Sequence, residues 1–251
     1  VLCVMFLALL DVAAFGLVIA AAVRRAAARP SAVQVFFVDC DDCVYQNNWA
    51  TAVKITNSIA KYTGRIGVSK EQAYALYQKH GTCLKGLLSE GLIDEKGAET
   101  FLHEVHDIDY SDIAPDSELR AQLEQLAVPA WIFTASTSEH AKRCLGRVGI
   151  ADLPWCGIID CRSCSLETKH SRSSFEVAMR LANVTDPSAC VFADDSVKNI
   201  KAAKAVGWRT ILVGLYDRDT GARITCDAAD QHIASLRELR GVMPEIFKGN
   251  A

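Results

Sequence analysis

The sequence lacks an excess of charge of either sign. It contains 27 Lys and Arg against 30 Asp and Glu, which gives a formal net charge of −3 at pH 7 with His neutral. Proteins that bind nucleic acid usually present a basic stripe that neutralises the phosphate backbone. The charge balance therefore disfavours a nucleic-acid partner, whereas a small anionic ligand is compatible with it.

The sequence also lacks the dense cysteine framework of a small secreted domain. Ten cysteines are spread over 251 residues, so we expect reduced thiols rather than a set of disulfides. Two pairs have the spacing C-x-x-C, and the second pair lies near a third cysteine and a histidine. A structural zinc site needs four ligands, and the alternative candidates for one are Cys156, Cys161, Cys164 and His170. The first pair, Cys40 and Cys43, is interpreted as small residues of the core.

The sequence also lacks the low hydrophobic content that is typical of disordered chains. Half of the residues are hydrophobic, and a chain of this length can bury a large core. We therefore expect one globular domain, with room for a smaller domain inserted into it.

The first segment is a long apolar run. Val1–Val23 contains one charged side chain, Asp11, and Arg24 and Arg25 follow directly. This length is sufficient to cross a bilayer, and the positive-inside tendency would keep the rest of the chain on the cytoplasmic side. The alternatives are a targeting segment for an organelle or upstream sequence that the mature protein lacks. Residues 1–31 are therefore treated as an anchor or targeting segment and left out of the fold prediction.

From residue 33 onward, short strands alternate with helical segments. The strand patterns are VQVFFV, PAWIFT, GIID, ACVFA and RTILVG, which begin at residues 33, 129, 157, 189 and 209. Helical patterns cover residues 138–148, 173–182 and 197–206. This alternation predicts an α/β fold, a Rossmann-like parallel sheet with helices on both faces.

A long helical region, 47–126, separates the first two predicted strands. The letters SKEQ from Ser69 to Gln72 have the form of a capping box at a helix start. Because the region is too long for a simple crossover, we predict an inserted helical cap over 47–114 and a core formed by 32–46 and 115–251. The tail HIASLRELRGVMPEIF, residues 232–247, is predicted to be one packing helix.

Acidic side chains follow two of the predicted strands. The first strand ends in Asp39, Asp41 and Asp42, and the fourth ends in Asp194 and Asp195. The carboxyl ends of parallel strands meet at one edge of the sheet, where ligands bind. Buried carboxylates are costly without compensation, and their oxygens suit Mg²⁺. The sequence therefore predicts a cation site at this edge, together with Thr134, Ser136 and Lys169.

These motifs resemble the four motifs of the haloacid dehalogenase superfamily of phosphohydrolases. The stretch DCDDCVY is similar to the first motif, with Cys43 where Thr or Val is usual. IFTAS resembles the second motif, Lys169 is similar to the third, and ADDSVKNI resembles the fourth. The resemblance implies a Mg²⁺-dependent phosphatase that acts on a small phosphorylated metabolite through an aspartyl phosphate.

The resemblance also implies a role for each residue at a motif position. Asp39 would be the nucleophile and a metal ligand, and Asp41 would be the general acid and base, with its backbone carbonyl on the metal. Asp194 and Asp195 would complete the metal site. Lys169 would neutralise the charge shared by phosphate and nucleophile. The expected contacts to phosphate or substrate are Asp42, Thr134, Ala135 and Ser136.

A narrower resemblance is to the pyrimidine 5'-nucleotidase group of fungi and plants. It rests on HGTCLKGL, HAKRCLGRVGI, FADDSVKNIKAAKAVGW and ADQHIASLRELRGVMPEIF. It implies a nucleoside 5'-monophosphate as substrate, with His80 and Lys85 of the cap as further candidate contacts. His170 stands where the group usually has Pro, and Ala135 stands where it usually has Asn, and both departures bear on substrate preference.

Three alternatives to a nucleotidase stay open. They are a phosphatase of another small metabolite such as a sugar or vitamin phosphate, a phosphomutase, and a membrane-tethered binding module without turnover. The motif positions do not decide among the substrates, because the cap residues that read the leaving group lie elsewhere. The sequence also gives no indication of the oligomeric state.

Overall fold

The computed structural model of the protein describes residues 32–218 and 220–249. Within these ranges, no helix combines the length and the apolar character needed to cross a membrane. The predicted anchor or targeting segment, residues 1–31, lies outside the described residues.

Six parallel strands form one sheet in the order β3-β2-β1-β4-β5-β6. The strands are β1 Val35–Val38, β2 Ala130–Phe133, β3 Gly157–Ile159, β4 Cys190–Asp194, β5 Arg209–Val213 and β6 Gln231–Ile233. β1 is central, and its Phe36 pairs with Ala130 on one side and Val191 on the other. The arrangement confirms the predicted α/β, Rossmann-like fold.

Nine α-helices accompany the sheet in the described residues. They are α1 Ala50–Arg65, α2 Lys70–His80, α3 Cys83–Ser89, α4 Glu95–Val105, α5 Ser117–Leu123, α6 Ser138–Val148, α7 Arg172–Leu181, α8 Val197–Val206 and α9 Leu239–Val242. Three predicted helices, over 138–148, 173–182 and 197–206, therefore correspond to α6, α7 and α8 within one residue.

Helices cover both faces of the sheet. Successive side chains of a strand point to opposite faces, so Phe36 and Val38 of β1 join one hydrophobic cluster while Val35 and Phe37 join another. The first cluster contains buried residues of α5, α6 and α9. The second contains buried residues of α7 and α8, and it includes Trp208, whose ring stacks on Phe37 at 4.7 Å between centroids.

Helices α1–α4 lie between β1 and β2 in the chain and share a hydrophobic cluster of their own. The rings of Tyr62 and Phe101 meet edge to face within it, with centroids 5.1 Å apart. The predicted capping box is present, because Ser69 accepts from the Gln72 N–H and the Gln72 side chain accepts from the Ser69 N–H. We call these four helices the helical insertion.

The segment after α4 returns to the sheet earlier than the predicted cap boundary at residue 114. Tyr110 and Ile113 are buried in the cluster that contains α5 and α6. The side chain of Tyr110 also reaches α6, where its hydroxyl lies 2.9 Å from Nδ1 of His140.

The prediction of one packing helix over residues 232–247 is wrong. This segment begins within β6, which pairs with β5 at the edge of the sheet, and its only α-helix is α9, between the short 3-10 turns Leu236–Glu238 and Pro244–Ile246. Pro244 interrupts an α-helix because it has no N–H group to donate. In addition, β6 pairs with backbone groups of β5 that would otherwise be unpaired at the edge of the sheet. The helical spacing arose because Leu236, Leu239, Met243 and Ile246 all face the core.

Candidate active site

Three carboxylates converge where β1 and β4 end. Asp39 follows β1, Asp194 ends β4 and Asp195 follows it, and one side-chain oxygen of each lies within 4.8 Å of the others. The pairing of the strands sets this proximity, because the Asp39 N–H donates to the carbonyl of Ala193 at 2.9 Å. The predicted acidic edge of the sheet therefore exists in the structure.

Lys169 lies between two of these carboxylates. Its Nζ is 2.7 Å from Oδ1 of Asp39 and 2.6 Å from Oδ2 of Asp194, and it also donates to the carbonyl of Phe133 at 3.2 Å. Burial alone would lower the pKa of this ammonium, but the carboxylates of Asp194 and Asp39 raise that pKa well above its usual range. Lys169 therefore stays charged although it is almost completely buried.

The acidic cluster, if fully ionised, would carry more negative charge than one lysine can balance. Burial raises the pKa of Asp39 to about 8, with Lys169 acting against the rise and the carboxylates of Asp194 and Asp41 adding to it. Burial and the neighbouring carboxylates also raise the pKa of Asp195 well above its usual range. A set of oxygen donors that repel one another fits a hard divalent cation, so the donor chemistry of the cluster is compatible with Mg²⁺.

Asp194 is held in place by the start of α8. Its Oδ1 accepts from the Ser196 N–H at 2.8 Å, and the side-chain amide of Asn199 donates to Oδ1 and Oδ2 at 3.0 and 3.1 Å. Asn199 belongs to the sequence ADDSVKNI, but no role was predicted for it. The contact depends on the tertiary structure, because the first turn of α8 places the Asn199 amide against the carboxylate that ends β4.

Asp41 points away from the acidic cluster and toward α6. Oδ1 accepts from the hydroxyl of Tyr45 at 2.5 Å and lies 2.7 Å from Nε2 of His140, and Oδ2 accepts from Oγ of Ser136 at 3.1 Å. Burial would raise the pKa of this carboxyl, but His140 and the hydrogen bonds from His140 and Tyr45 hold it well below its usual range. Asp41 is therefore ionised in the structure.

His140 is fully buried, and both of its ring nitrogens have a partner. Nδ1 lies 2.9 Å from the hydroxyl oxygen of Tyr110, and that hydroxyl donates its proton to the carbonyl of His106 at 2.8 Å. Nδ1 must therefore be the donor toward Tyr110, and Nε2 faces Asp41. Burial lowers the pKa of His140, but the Asp41 carboxylate outweighs burial and raises that pKa to about 12.

The loop after β2 contributes the second-motif residues. Thr134 is buried, and its Oγ1 accepts from the Ser136 N–H at 3.0 Å, so the loop is closed by its own hydrogen bond. Asp42 adopts a left-handed backbone conformation with φ of 55°. Burial and the Asp41 carboxylate raise the pKa of Asp42 to about 7, against an opposing effect of Arg218.

Two adjoining cavities meet the site. The first, of about 830 Å³, is lined by Asp42, Lys169 and Asp195 and by the aromatic rings of Trp49, Tyr74 and Tyr77. The second, of about 710 Å³, reaches Asp41 and is lined mainly by apolar side chains of the helical insertion. Ala135 lines both cavities, so a small molecule in either one would lie beside the loop after β2.

The family model for a haloacid dehalogenase-like hydrolase matches residues 33–207, which is more than half of the chain and includes every strand-end residue described above. The chain belongs to the haloacid dehalogenase-like hydrolase family.

Relatives of this hydrolase include Phosphate metabolism protein 8 of Saccharomyces cerevisiae. The two chains are 29% identical over 198 residues, which cover 71% of this chain and 61% of that protein. The chain therefore spans less than two thirds of this relative's length.

Solved structures share the fold of the hydrolase. β-Phosphoglucomutase from Clostridium difficile has a TM-score of 0.58 at 18% identity, covering 85% of this chain and 97% of that one. YfnB from Bacillus subtilis, a structure bound to magnesium, has a TM-score of 0.54 at 15% identity, covering 85% of this chain and 100% of that one. At these identities the likeness concerns the fold alone.

The two predicted contacts in the insertion of this hydrolase pair with glutamates. His80, at the end of α2, lies 3.1 Å from Glu90, and Lys85 in α3 forms an ion pair with Glu167. Neither residue lines one of the two cavities described above, whereas the intervening Thr82 lines both. Contact of His80 and Lys85 with a substrate therefore stays a prediction.

The cysteines of the hydrolase are free thiols throughout the described residues. Cys156 is exposed, Cys161 is buried in the cluster of the helical insertion, and Cys164 is buried in the cluster that contains α7 and α8. Among residues 32–218 and 220–249, side chains that could bind a metal converge in two places. These are Asp39 with Asp194 and Asp195, and Cys40 with Asp41 and Cys144. The alternative zinc site is not among them.

His140 and Tyr45 are site residues that the sequence reasoning missed. His140 lies on the buried face of α6 beside Ala141 and Cys144, where a lone polar side chain must find a partner. The signal in the sequence is the single histidine among the apolar positions of HAKRCLG. The partner itself could not be found without the fold, because Asp41 is 99 residues away in the chain.

Proposed function

We propose that the protein is a magnesium-dependent phosphatase that hydrolyses a small phosphate monoester through an aspartyl phosphate on Asp39. The observation that supports this most strongly is the cluster of Asp39, Asp194 and Asp195 with Lys169 between two of them. Two acidic strand ends and a buried ammonium at one edge of a parallel sheet form the charge pattern that phosphoryl transfer requires.

In the first step, a carboxylate oxygen of Asp39 would attack phosphorus as the bond to the leaving oxygen breaks. Lys169, at 2.7 Å from Oδ1 of Asp39, would orient this carboxylate and offset the charge of the phosphate. The buried position of both side chains strengthens these electrostatic contacts, because the local dielectric is lower than that of water.

Asp41 would protonate the leaving oxygen and later deprotonate the water that hydrolyses the aspartyl phosphate. Its ionised state in the structure suits the second task. For the first task, the negative charge of a bound phosphate would raise the pKa of Asp41 and favour the protonated carboxyl. Asp41 lines the second cavity, and Ala135, Tyr74 and Tyr77 line both cavities, so a leaving group at their junction would lie near Asp41.

Asp39, Asp194 and Asp195 would hold the magnesium ion, together with the backbone carbonyl of Asp41. Bound there, the ion would neutralise charge on the phosphate oxygens. The magnesium-bound structure of YfnB supports the choice of this metal, since the two proteins share a fold.

We propose a nucleoside 5'-monophosphate as the substrate, with a pyrimidine base. The support is the resemblance to pyrimidine 5'-nucleotidases and the first cavity, where Trp49, Tyr74 and Tyr77 offer aromatic surface to a base. Its volume of about 830 Å³ is within the usual size of small-molecule sites. The part of the first cavity that Lys169 and Asp195 line would then receive the phosphate.

The test is phosphate release from a panel of pyrimidine and purine nucleoside monophosphates, sugar phosphates and 4-nitrophenyl phosphate. We expect turnover with magnesium, a preference for pyrimidine nucleotides, loss of activity in excess chelator and recovery when magnesium is restored. Continued release without an acceptor would separate a phosphatase from a phosphomutase. If no ester releases phosphate, the proposed function is wrong, and full activity in chelator would contradict the metal.

Two variants test the roles of the carboxylates on the same panel. Asp39→Asn removes the nucleophile and should abolish both turnover and the trapped aspartyl phosphate. Asp41→Asn keeps the nucleophile, so with 4-nitrophenyl phosphate it should give a burst of nitrophenol followed by slow release, because no base activates the water. A loss of only a few fold in both variants, without a trapped intermediate, would make these carboxylates structural.

A further inference from the structure

We propose that His140 is a positioning residue that fixes the carboxylate of Asp41 for proton transfer. The inference rests on the proposed function, because it assigns a partner to the general acid and base of that reaction. It starts from one juxtaposition, in which the fully buried Nε2 of His140 lies 2.7 Å from Oδ1 of Asp41.

The His140 ring is anchored at both ends. Nδ1–H donates to the hydroxyl oxygen of Tyr110, and the hydroxyl of Tyr110 donates to the carbonyl of His106. The ring also packs on that of His106, with centroids 4.7 Å apart. Rotation of the ring would break the contact at Nδ1, so Nε2 is held in one direction.

Asp41 depends on such a contact more than its neighbour Asp39 does. The Asp39 N–H is paired with β4, and its carboxylate is paired with Lys169, whereas Asp41 lies in a turn beyond the end of β1. The side chain of Asp41 is 26% exposed and lines the second cavity. Its orientation is therefore determined by the side chains that donate to it.

The three donors to Asp41 differ in how firmly they are held. Tyr45 is buried in the same core cluster as α6 but lies only four residues from Asp41 in the same non-helical segment, and Ser136 lies in the loop after β2. His140 belongs to α6, whose Ala141 and Leu145 are buried in the core of the sheet. Among these donors, His140 is the one that lies on a helix of the core, 99 residues from Asp41 in the chain.

This role predicts a loss that depends on the leaving group. Transfer of the phosphoryl group forms the bond from Asp39 to phosphorus and breaks the bond to the leaving oxygen, which takes the proton of the Asp41 carboxyl. An alkoxide such as the 5' oxygen of a nucleoside needs that proton, whereas nitrophenolate leaves without it. A misplaced Asp41 should therefore slow the first reaction and spare phosphorylation of Asp39 by the second.

The test compares His140→Asn with His140→Gln. The Gln amide can extend to the place of Nε2 and donate to Asp41, whereas the shorter Asn amide reaches only the place of Nδ1. We expect His140→Asn to lower the single-turnover rate with a nucleoside 5'-monophosphate about 10- to 100-fold, with a change of less than about threefold in the 4-nitrophenol burst rate. His140→Gln should recover most of the nucleotide rate.

Val148→Ala is the matched control, because Val148 is buried on the same helix, α6, but its aliphatic side chain cannot hydrogen-bond to Asp41. It should change the rates for the two esters by the same factor. If His140→Asn does not fold, Tyr110→Phe frees the ring at Nδ1 and should show the same dependence on the leaving group, on a smaller scale.

Two results would overturn the inference while leaving the phosphatase assignment intact. One is an equal loss with both esters in His140→Asn or Tyr110→Phe, and the other is a His140→Gln variant no faster on nucleotide than His140→Asn. Absence of phosphate release by the unmodified protein would overturn the inference and the proposed function together.

Discussion

At the scale of single residues, the site depends on one buried ammonium. The Nζ of Lys169 contacts carboxylates from two strand ends, and the rings of Phe133 and Phe192 lie 5.7 and 5.5 Å from it. Aromatic faces attract a cation, but they cannot replace the charge that Asp39 and Asp194 require. Lys169 is thus important for the fold at this edge as well as for its proposed contact with phosphate.

Replacement of this lysine should therefore lower the stability of the protein. Lys169→Met leaves two buried carboxylates without their cation, and we expect the free energy of unfolding to fall by about 3–5 kcal/mol in the absence of divalent cations. Urea denaturation measures the change. Lys204→Met is the matched control, since Lys204 forms an exposed ion pair with Asp230 and should cost about 1 kcal/mol or less. Equal losses in the two variants would contradict this account of Lys169.

The site residues that could be predicted from the sequence are those that lie at the end of a strand. Asp39, Asp194 and Asp195 directly follow or end apolar strands, and the topology rule for parallel sheets places them together. His140, Tyr45 and their contacts to Asp41 could not be predicted in this way, because only the packing of α6 against the turn after β1 brings them together. Local patterns identify a residue that must have a partner, but they do not identify the partner.

At the scale of elements, the helical insertion meets the core at Gly81, the C-cap residue that follows α2. Gly81 has φ of +88°, and a Cβ atom there would lie 2.6 Å from Nδ1 of His170. His170 follows Lys169 directly, so the end of α2 is packed against the loop that carries the buried ammonium. His170 is the residue that stands where pyrimidine 5'-nucleotidases usually have Pro.

Gly81→Ala should therefore disturb both stability and turnover. A left-handed conformation costs a residue with a Cβ about 1–2 kcal/mol, and the contact with His170 adds to that cost and displaces the Lys169 loop. Gly91→Ala isolates the first contribution, because Gly91 has φ of +66° and no atom within 4 Å of the added Cβ. Denaturation and phosphate release should show a larger loss for Gly81→Ala, and the idea fails if the two variants behave alike.

The predicted boundaries of a helix agree with the observed ones where the capping signals in the sequence agree with the tertiary packing. For α6, Thr137 as N-cap and Gly149 as a left-handed C-cap enclose the predicted helix, 138–148. The tail after residue 231 shows the opposite case. There the apolar spacing suggested a helix, but the free edge of β5 and the backbone restriction of Pro244 determined the structure instead.

At the scale of the whole molecule, every proposed catalytic and metal-binding residue lies in residues 32–251. A fragment of those residues should therefore fold and release phosphate at the rate of the full chain. Circular dichroism and the panel assay measure both properties. A second fragment, 47–251, lacks β1 and with it Asp39, and it should neither fold nor turn over substrate. A folded but inactive fragment of 32–251 would show that the preceding residues contribute to the site.

The central position of β1 has a consequence for synthesis on the ribosome. β1 is the first of the six described strands to emerge, but its neighbours β2 and β4 begin at Ala130 and Cys190. At roughly 5–20 residues per second, the apolar segment Val35–Val38 would wait on the order of ten seconds before both partners exist. During that time it presents two unpaired edges, and nascent chains of this protein should be clients of a chaperone that binds extended apolar segments.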